Sequence, residues 1–257
     1  MTMKITGCIV LYQNNKEILK KAIDSFLSTE LDIMLYLVDN SPTDALKSLV
    51  GDQRIEYIFN NANLGFGKAH NIGIERSLAH NADYHLVLNP DIYFEKTEIP
   101  KMISFMEENE KVGHLMPKIK YPDNSIQYLC KRNPTPFDLF ARRFMPKGIQ
   151  KLFKGRMDKY EYRDHNYNEI MYDVPYFSGC FMLFRNSILK KVGGFDERIF
   201  MYIEDADITR RFLQVSNTVY FPEAEVYHHY GKGSYKNFKL MLYNLHGAYI
   251  YFKKWGW

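Results

Sequence analysis

The sequence predicts an α/β fold with a Rossmann-like, mainly parallel central sheet that is flanked by helices. Two observations support this prediction. Short apolar runs rich in β-branched and aromatic residues, typical of buried parallel strands, alternate with a segment of helical periodicity. Several of these runs end at a turn that carries an Asp, where such sheets form ligand sites. With 257 residues and 46% hydrophobic content, the chain can bury the core of one domain.

The first β-α-β unit lies near the N-terminus. Residues 5–12 and 33–38 are predicted strands, and residues 16–29 between them form a predicted helix with its apolar residues on one face. Asp39 directly follows the second strand, where a carboxylate can accept an N–H from a pyrimidine base. The alternative for Asp39 is a turn-forming role in its Asp-Asn-Ser-Pro loop.

The next predicted strand, 55–59, leads into a glycine-containing loop over residues 60–73. Gly65, Gly67 and Gly73 permit close backbone approach at the start of a helix that continues through Leu78. A helix start of this kind favours a phosphate group. The glycine spacing matches neither the GxGxxG dinucleotide fingerprint nor the P-loop pattern.

The predicted strand 84–88 runs directly into Asn89-Pro90-Asp91. Asp91 therefore lies at a strand end, with Pro90 stiffening the turn, which is a suitable position for a metal-binding carboxylate. The alternative is an ordinary Pro-Asp turn.

The stretch 195–211, FDERIFMYIEDADITRR, places three carboxylates between an aromatic run and a short helix. Glu204, Asp205 and Asp207 follow an apolar segment, so we expect them to line the rim of a pocket. The apolar face of the helix is then predicted from residues spaced at i, i+4 and i+7, namely Ile208, Phe212 and Val215. The alternative is that Asp205 only caps this helix.

His228 and His229 come after a predicted strand at 218–221 and before a Gly-Lys-Gly-Ser loop at 231–234. A histidine here could ligate a metal, and Lys232 with nearby backbone N–H groups could face a phosphate. The alternative for both histidines is an exposed loop. The chain has no Cys-His zinc spacing.

The distribution of charge and the cysteine content indicate the cellular compartment and the kind of surface the protein can contact. The net charge is +4, and the segment 131–163 is basic with interleaved aromatic residues, as is the C-terminal run 243–257. Both segments could rest on an anionic leaflet; alternatively the first is a helical lid and the second packs on the core. Three cysteines without a motif, no signal peptide and no spanning segment predict a cytoplasmic protein. The two basic segments allow peripheral contact with the inner face of the cell membrane as one of the two alternatives.

Together these segments resemble the inverting family 2 glycosyltransferases of GT-A fold, in particular the bacterial rhamnosyltransferase-like branch, over nearly the whole chain. The residues that carry the resemblance are the first strand through Tyr12, Val38-Asp39-Asn40-Ser41, Asn63-Leu64-Gly65-Phe66, Asn71-Ile72-Gly73, Asn89-Pro90-Asp91, Ser178-Gly179, Gly194-Phe195-Asp196-Glu197, and Glu204-Asp205-Ala206-Asp207 with Arg210-Arg211. The resemblance implies a single GT-A domain over 1–257. Its parts would be a nucleotide-sugar-binding half (1–125), an acceptor and catalytic half with an antiparallel sheet extension (126–230), and a C-terminal helical segment (231–257).

The resemblance also implies a role for each site residue. Asp205 would be the general base, Asp39 would bind uracil or thymine, and Asp91 with His228 would hold Mn²⁺ or Mg²⁺ on the donor diphosphate. The implied donor-binding residues are Tyr12, Asp39, Asn63, Gly65, Asn71, Asn89, Asp91, Arg210 and Arg211, and the implied acceptor-side residues are Ser178, Gly179 and Glu204. Asn89 stands where many GT-A enzymes have the first Asp of Asp-Xaa-Asp, so we treat it as a donor contact rather than a metal ligand.

The expected reaction is inverting sugar transfer from dTDP-rhamnose, or from a UDP-hexose such as UDP-galactose, to a lipid-linked saccharide of bacterial surface polysaccharide (O-antigen or capsule). One base without a covalent nucleophile implies a single displacement, whereas a retaining hydrolase needs two carboxylates about 5 Å apart. A nucleotidyltransferase would usually carry a Gly-rich phosphate loop after the first strand, where this chain reads YQNNK. A non-catalytic membrane or nucleic-acid-binding module is disfavoured because the acidic cluster repels phosphate.

Overall fold

The computed structural model describes residues 3–139, 151–229 and 238–257. Its strands are β1 (Lys4–Leu11), β2 (Asp32–Asp39), β3 (Ile55–Phe59), β4 (Tyr84–Leu88), β5 (Ile92–Tyr93), β6 (Val112–Lys120), β7 (Cys130–Lys131), β8 (Met171–Tyr172), β9 (Tyr176–Phe177), β10 (Phe181–Arg185) and β11 (Asn217–His228). Its main helices are α1 (Lys16–Leu27), α2 (Phe66–Ala79), α3 (Glu98–Glu108), α4 (Lys154–Tyr160), α5 (Asn186–Val192), α6 (Glu204–Leu213) and α7 (Phe238–Trp255). Short 3-10 turns cover Ala45–Leu49 and Lys151–Phe153.

The described residues form one large sheet and one small sheet. In the large sheet β3, β2, β1 and β4 run parallel in that order, and β11 runs parallel to β6. β10 joins these two groups by pairing antiparallel with both β4 and β6, while β5 and β8 add antiparallel to β11. β7 and β9 pair antiparallel in the small sheet. The predicted central sheet, mainly parallel with an antiparallel extension, is confirmed.

The first strands are apolar on both faces because helices cover both. Ile5 and Ile9 of β1 belong to the hydrophobic cluster that includes α1 and α3, whereas Cys8 packs with Ala69 of α2 on the other face. The backbone of α2 approaches β1 closely, since a Cβ added at Gly73 would lie 2.6 Å from the Cys8 sulfur. This approach holds the loop before α2 over the carboxyl edge of the sheet.

Three boundaries differ from the sequence prediction by two residues or more. α1 ends at Leu27, two residues earlier than predicted, where the Ser28 N–H bonds the Asp24 carbonyl. α6 ends at Leu213, so Val215 is exposed outside the helix, and the prediction that it extends the apolar face is wrong. β11 continues to His228 because its pairing with β6 resumes after an irregularity around residues 222–224, which begins with a proline that cannot donate to the ladder.

The parallel strands bring predicted site residues to one edge of the sheet. Asp39 ends β2 in register with Leu11, and Asn89 follows directly after β4. His228 ends β11 opposite Ile92 of β5. The Asn-Pro-Asp turn between β4 and β5 therefore meets the end of β11 at this edge.

Neither a spanning helix nor a disulfide bond is found among the described residues. No helix in the described ranges is long and apolar enough to cross a bilayer. Cys8, Cys130 and Cys180 are buried free thiols.

Tyr251 and Phe252 of α7 pack in a cluster with Ala206 of α6, as expected if the C-terminal helix packs on the core. Residues 140–150 of the basic segment and the loop that contains Lys232 lie outside the described residues.

Candidate active site

A chamber of about 630 Å³ opens at the carboxyl edge of the sheet, between the turn after β4 and the start of α6. Six of the predicted catalytic, donor-binding, acceptor-side and metal-binding residues line it: Asn89, Ser178, Gly179, Glu204, Asp205 and His228. Five tyrosines add aromatic surface: Tyr121, Tyr128, Tyr160, Tyr176 and Tyr202. The other predicted donor residues lie outside the described lining. The structure therefore gathers the acceptor-side and catalytic candidates in one cavity and leaves most of the nucleotide-side candidates apart from it.

Asp205 lines the chamber from the first turn of α6, and two backbone N–H groups orient its carboxylate. Gly179 donates to Oδ2 and Ala206 donates to Oδ1, each at 3.0 Å. The N-cap position belongs to Ile203, so capping does not describe the role of Asp205. Its carboxylate instead ties α6 to the turn between β9 and β10.

The turn before α6 has an unusual backbone. Tyr202 and Ile203 have φ angles of 74° and 72°, in the left-handed region. Left-handed conformation is rare for a β-branched residue and costs of order 1–3 kcal/mol per residue. Nearby contacts hold the turn, since the Phe66 N–H bonds the Phe200 carbonyl at 2.9 Å. A Cβ added at Gly247 of α7 would lie 2.8 Å from the Tyr202 carbonyl, so α7 also packs tightly against this turn.

Glu204 lies beside Asp205 but in a different electrostatic state. Only 4% of its surface is exposed, and its Oε2 has no hydrogen-bond partner among the described residues. Burial raises the pKa of the Glu204 carboxyl well above its usual range, and the neighbouring Asp205 charge raises the pKa further. This raised pKa favours the protonated form of Glu204, in which the carboxyl presents an O–H donor.

Asp207 faces away from the chamber and binds α7. Its buried carboxylate accepts hydrogen bonds from Arg211 Nε at 2.9 Å and Trp255 Nε1 at 2.8 Å, and Lys254 Nζ lies 2.7 Å from Oδ1. The terminal nitrogens of Arg211 donate to the carbonyls of residues 192–194. Asp207 and Arg211 therefore join α6 to α7 and to the turn after α5.

Arg210 also lies toward α7. Its guanidinium is 4.4 Å from the Trp255 ring centroid and donates to the Tyr251 hydroxyl at 3.2 Å. The structure thus brings neither Arg210 nor Arg211 into the described lining of the chamber. Both arginines were expected to bind the donor. Arg210 instead contacts α7, and Arg211 binds Asp207 and the carbonyls of residues 192–194.

Asp39 lies at the predicted strand end, with its carboxylate fully buried. Oδ1 accepts the Ser41 N–H at 2.8 Å, as in the turn alternative, and Oδ2 accepts the Tyr57 hydroxyl at 2.5 Å. Tyr12, at the end of β1, is half exposed on the same edge. Burial and the Tyr57 hydrogen bond leave the Asp39 side chain with no exposed surface in this structure.

Asn63, Gly65 and Asn71 make contacts within the protein. Asn63 Oδ1 accepts the Gly65 N–H at 3.1 Å, and Gly65 has φ 86° with no space for a side chain, since a Cβ would lie 2.3 Å from the Phe200 carbonyl oxygen. Asn71 Oδ1 accepts the Phe195 N–H at 2.7 Å, and its Nδ2 donates back to the Phe195 carbonyl. These residues join the loop before α2, and α2 itself, to the segment that leads into the acidic cluster.

His228 and Asp91 form a close pair at the edge of the chamber. His228 Nε2 lies 3.3 Å from Asp91 Oδ1, and Nδ1 lies 3.0 Å from Gln127 Oε1. Burial lowers the pKa of His228, but its interactions with Cys180 and Asp91 outweigh burial and raise the pKa to about 10. His228 is buried at the end of a strand, so the exposed-loop alternative is wrong for it. His229 is partly exposed, with its ring 5.1 Å from the ring of Tyr93.

Asp91 and His228 fit a metal site in part. Carboxylate oxygen and imidazole nitrogen are both ligands for Mn²⁺, and these two side chains converge. No group of three or more His, Cys, Asp or Glu side chains that could hold a metal occurs in the described ranges. A cation bound here would take its remaining ligands from water and a substrate diphosphate, as is usual for Mg²⁺.

Several site residues were not found from the sequence. Tyr57 donates a hydrogen bond to Asp39. The side chain of Gln127 contacts His228 twice, at the ring nitrogen Nδ1 and at the backbone carbonyl of His228. Cys180 lines the chamber and accepts the Asn89 N–H through its carbonyl. Tyr57 lies on β3, which pairs with β2, two residues before the position opposite Asp39. No sequence signal marks Gln127.

The chain belongs to glycosyl transferase family 2, whose model matches residues 8–193. It is 30% identical over 214 residues to N-acetylglucosaminyl-diphospho-decaprenol L-rhamnosyltransferase of Mycobacterium tuberculosis, covering 79% of this chain and 68% of the relative. It is 24% identical over 236 residues to rhamnosyltransferase WbbL of Escherichia coli K12, covering 90% of this chain and 85% of the relative. The resemblance to the rhamnosyltransferase-like branch is thereby confirmed.

The fold matches solved GT-A glycosyltransferases. The crystal structure of GalNAc-T7 with UDP, GalNAc and Mn²⁺ superposes with a TM-score of 0.68 at 13% identity. The match covers 92% of this chain and 45% of the GalNAc-T7 chain, so this chain spans less than half the length of that protein. At this identity the similarity establishes the fold, and the GT-A prediction is confirmed.

The contacts of Asp207 predict a structural phenotype for its loss. Asp207→Asn removes the buried charge that Arg211 and Lys254 face, and breaking such a pair costs about 3 kcal/mol or more. We expect a lower urea midpoint of unfolding, with turnover per folded molecule close to that of the unmodified chain.

Asp196→Asn is the matched control, because the Arg198 partner of Asp196 is exposed and such pairs contribute about 1 kcal/mol or less. Turnover can be followed as nucleoside diphosphate release from the donor. An unchanged midpoint combined with lost turnover in Asp207→Asn would assign Asp207 to the chemistry.

Proposed function

We propose that this chain is an inverting glycosyltransferase that moves a sugar from a nucleoside diphosphate donor to a saccharide acceptor. The observation that carries the proposal is the Asp205 carboxylate, which lines a chamber large enough for a sugar together with Asn89 and His228. Membership in glycosyl transferase family 2 supports the reaction class. A single oriented base without a second ionised acid beside it favours one direct displacement.

Asp205 acts as the general base. The Gly179 and Ala206 N–H groups fix the plane of its carboxylate and leave lone pairs for the acceptor hydroxyl. The hydroxyl oxygen attacks the anomeric carbon and passes its proton to Asp205, while the bond to the donor phosphate oxygen breaks on the opposite face. The new glycosidic bond therefore has inverted configuration.

Glu204 acts in its protonated form. Its O–H can donate to a sugar hydroxyl or ring oxygen in the chamber, so it positions a substrate without competing for the proton of the acceptor. A carboxylate at this position would also repel the departing phosphate. Glu204 is therefore a substrate-positioning residue on the acceptor side.

The negative charge of the leaving diphosphate needs a compensating positive charge. We propose that a cation bound at Asp91 and His228 supplies it. A Mn²⁺ or Mg²⁺ ion held there would stabilise the negative charge on the phosphate oxygens. His228 must first lose the proton that its surroundings favour, because imidazole binds a metal through a neutral nitrogen. Because Arg210 contacts α7 and Arg211 binds Asp207 and backbone carbonyls, the metal site is the main source of compensating charge in this proposal.

The donor half of the proposed domain is 1–125, where Asp39 reads a pyrimidine. Tyr12, Asn63, Gly65 and Asn71 shape the same half, and Asn89 contacts the donor from the chamber. The donor is dTDP-rhamnose or a UDP-hexose, and the rhamnosyltransferase names of the two relatives favour rhamnose.

The acceptor we propose is a lipid-linked saccharide of bacterial surface polysaccharide synthesis. The name of the mycobacterial relative gives a diphospho-decaprenol-linked sugar as the substrate of that protein. α7 contains lysines and no acidic residue, and it exposes Phe238, Leu242, Leu245 and Tyr249 along one side. This face supports peripheral contact with an anionic membrane.

The first test concerns the base. Asp205→Asn preserves the size of the side chain but cannot accept a proton, so we expect turnover to fall roughly 10²-fold or more. Donor affinity and the melting temperature should be close to those of the unmodified chain. Measurements are nucleoside diphosphate release, donor titration and thermal melting.

Glu204→Gln is the matched control, because a protonated Glu and a Gln have nearly the same shape and both donate. We expect its turnover to remain close to that of the unmodified chain. If the activity of Asp205→Asn merely follows its folded fraction, Asp205 is a structural residue and the assignment fails.

The second test concerns the base of the donor. UDP and dTDP should raise the melting temperature, and GDP should have little effect, because Asp39 is placed to accept the imide N–H of a pyrimidine. Asp39→Asn should reduce the response to UDP and dTDP. A stronger response to GDP would remove Asp39 from base recognition.

The third test concerns the metal. We expect EDTA to abolish turnover, Mn²⁺ or Mg²⁺ to restore it, and Asp91→Ala to weaken donor binding and make the remaining binding independent of the cation. Asp83→Ala is a control on the same sheet, since Asp83 lies at the opposite end of β4 and binds the Lys4 N–H. Full turnover of the unmodified chain in EDTA would exclude a metal role for Asp91.

A further inference from the structure

Asp39, the residue proposed to bind the donor base, is covered by a side chain that the proposed reaction does not use. Oδ2 of Asp39 accepts the Tyr57 hydroxyl at 2.5 Å, and Oδ1 accepts the Ser41 N–H at 2.8 Å. None of the Asp39 surface is exposed. Each carboxylate oxygen therefore already accepts a hydrogen bond from this chain, at the place where the proposed function puts the imide N–H of a pyrimidine.

The strands on either side of Asp39 present aromatic surface to solvent. Asp39 pairs with Leu11 of β1 on one side and with Phe59 of β3 on the other. Phe59 is 37% exposed, and Tyr12, which follows Leu11, is 51% exposed. Exposed aromatic rings beside a buried carboxylate suit a planar base, because a base can stack on an aromatic side chain. The surroundings of Asp39 are thus open to a ligand, while the carboxylate itself is covered.

Tyr57 is placed so that it can uncover Asp39 without disrupting the sheet. It lies on β3, which ends the strand order of the large sheet, and its side chain is partly exposed. A change of its side-chain rotamer toward solvent would break the hydroxyl contact and leave the pairing of β3 with β2 intact. Burial and the hydrogen bond to Asp39 raise the pKa of Tyr57, so the hydroxyl keeps its proton and remains a donor while the contact lasts.

We propose that Tyr57 is an occluding residue, which competes with the donor base for the Asp39 carboxylate and thereby lowers the affinity for the donor. This role rests on the proposed function and adds to it a residue that controls donor binding. A phenol O–H and an imide N–H each donate one hydrogen bond to a carboxylate, so the second replaces the first when the base enters. The affinity for the base is reduced, because only the fraction of protein in which the Tyr57 contact is broken can bind the base through Asp39.

The test compares Tyr57→Phe with the unmodified chain by calorimetric titration with UDP at one fixed Mn²⁺ concentration. Loss of the hydroxyl removes both the competitor and a partner of a buried carboxylate. We therefore expect opposite effects on stability and affinity. The melting temperature without ligand should fall, and UDP should bind about tenfold more tightly, the usual scale for one hydrogen bond to a charged group. If Tyr57 only supported the fold or oriented Asp39, UDP affinity would not rise.

A second ligand and a second variant serve as controls. UDP methylated at N3 lacks the imide N–H, so it should bind the unmodified chain more weakly than UDP does and gain little from Tyr57→Phe. Tyr36→Phe is the matched substitution, because Tyr36 of β2 is fully buried and its hydroxyl lies 3.0 Å from His80 Nδ1. Tyr36 packs in the cluster that includes α2, on the opposite face of β2 from Asp39. We expect Tyr36→Phe to lower the melting temperature and leave UDP affinity unchanged.

A double-mutant cycle locates the effect at Asp39. In an Asp39→Asn background the competition for a carboxylate is gone, so Tyr57→Phe should raise UDP affinity by no more than about twofold, the usual error of additivity. A tenfold gain in that background would place the effect of Tyr57 elsewhere and overturn its occluding role.

Unchanged or weaker UDP binding in Tyr57→Phe would also overturn this role, as would an equal gain with N3-methylated UDP or in Tyr36→Phe. Binding of UDP or dTDP by any of these samples reports the proposed function separately. UDP binding without a gain in Tyr57→Phe removes the occluding role and leaves the pyrimidine donor intact. If neither the unmodified chain nor Tyr57→Phe binds UDP or dTDP, the pyrimidine donor fails and the occluding role fails with it.

Discussion

The hydrogen bond from the Gly179 N–H to the Asp205 carboxylate is the contact on which the geometry of the chamber depends. Gly179 lies between β9 and β10, so this bond positions α6 relative to two sheets at once. On one side of Gly179 lies β10 of the central sheet, and the carbonyl of Cys180 just before it accepts a hydrogen bond from the Asn89 N–H. On the other side lies β9 of the small sheet, where Tyr176 pairs with Lys131 of β7. One contact thus relates the proposed base, the donor-side turn and the small sheet.

Helical geometry separates the roles of the clustered acids. Successive residues of an α-helix are rotated by about 100°, so Asp205 and Asp207 point roughly 200° apart. Asp205 therefore faces the chamber while Asp207 faces α7, although only one residue separates them in sequence. The strained turn at Tyr202 and Ile203 sets the starting orientation of this helix, and the buried contacts of Asp207 help to offset its cost.

The sequence predicted the strands and the residues at their ends, because burial on both faces leaves a clear apolar run that stops where the chain reaches the edge. Asp39 ends β2 and Asn89 follows β4, where that reasoning placed them. The partners of Asn71 and Arg211 could not be predicted, since each binds backbone groups of segments that meet it only in the folded chain. β11 was predicted too short because its irregularity near residue 222 breaks the period-2 pattern, although pairing resumes beyond it.

The electrostatics of the proposed reaction favour a single ionised acid beside the reacting atoms. Negative charge develops on the donor diphosphate as it leaves, and a cation at the proposed site of Asp91 and His228 would balance that charge. The proposed base, Asp205, must be anionic to accept a proton from the acceptor hydroxyl. A second negative charge at Glu204 would repel the leaving phosphate, and burial, which raises the pKa of Glu204, disfavours that charge.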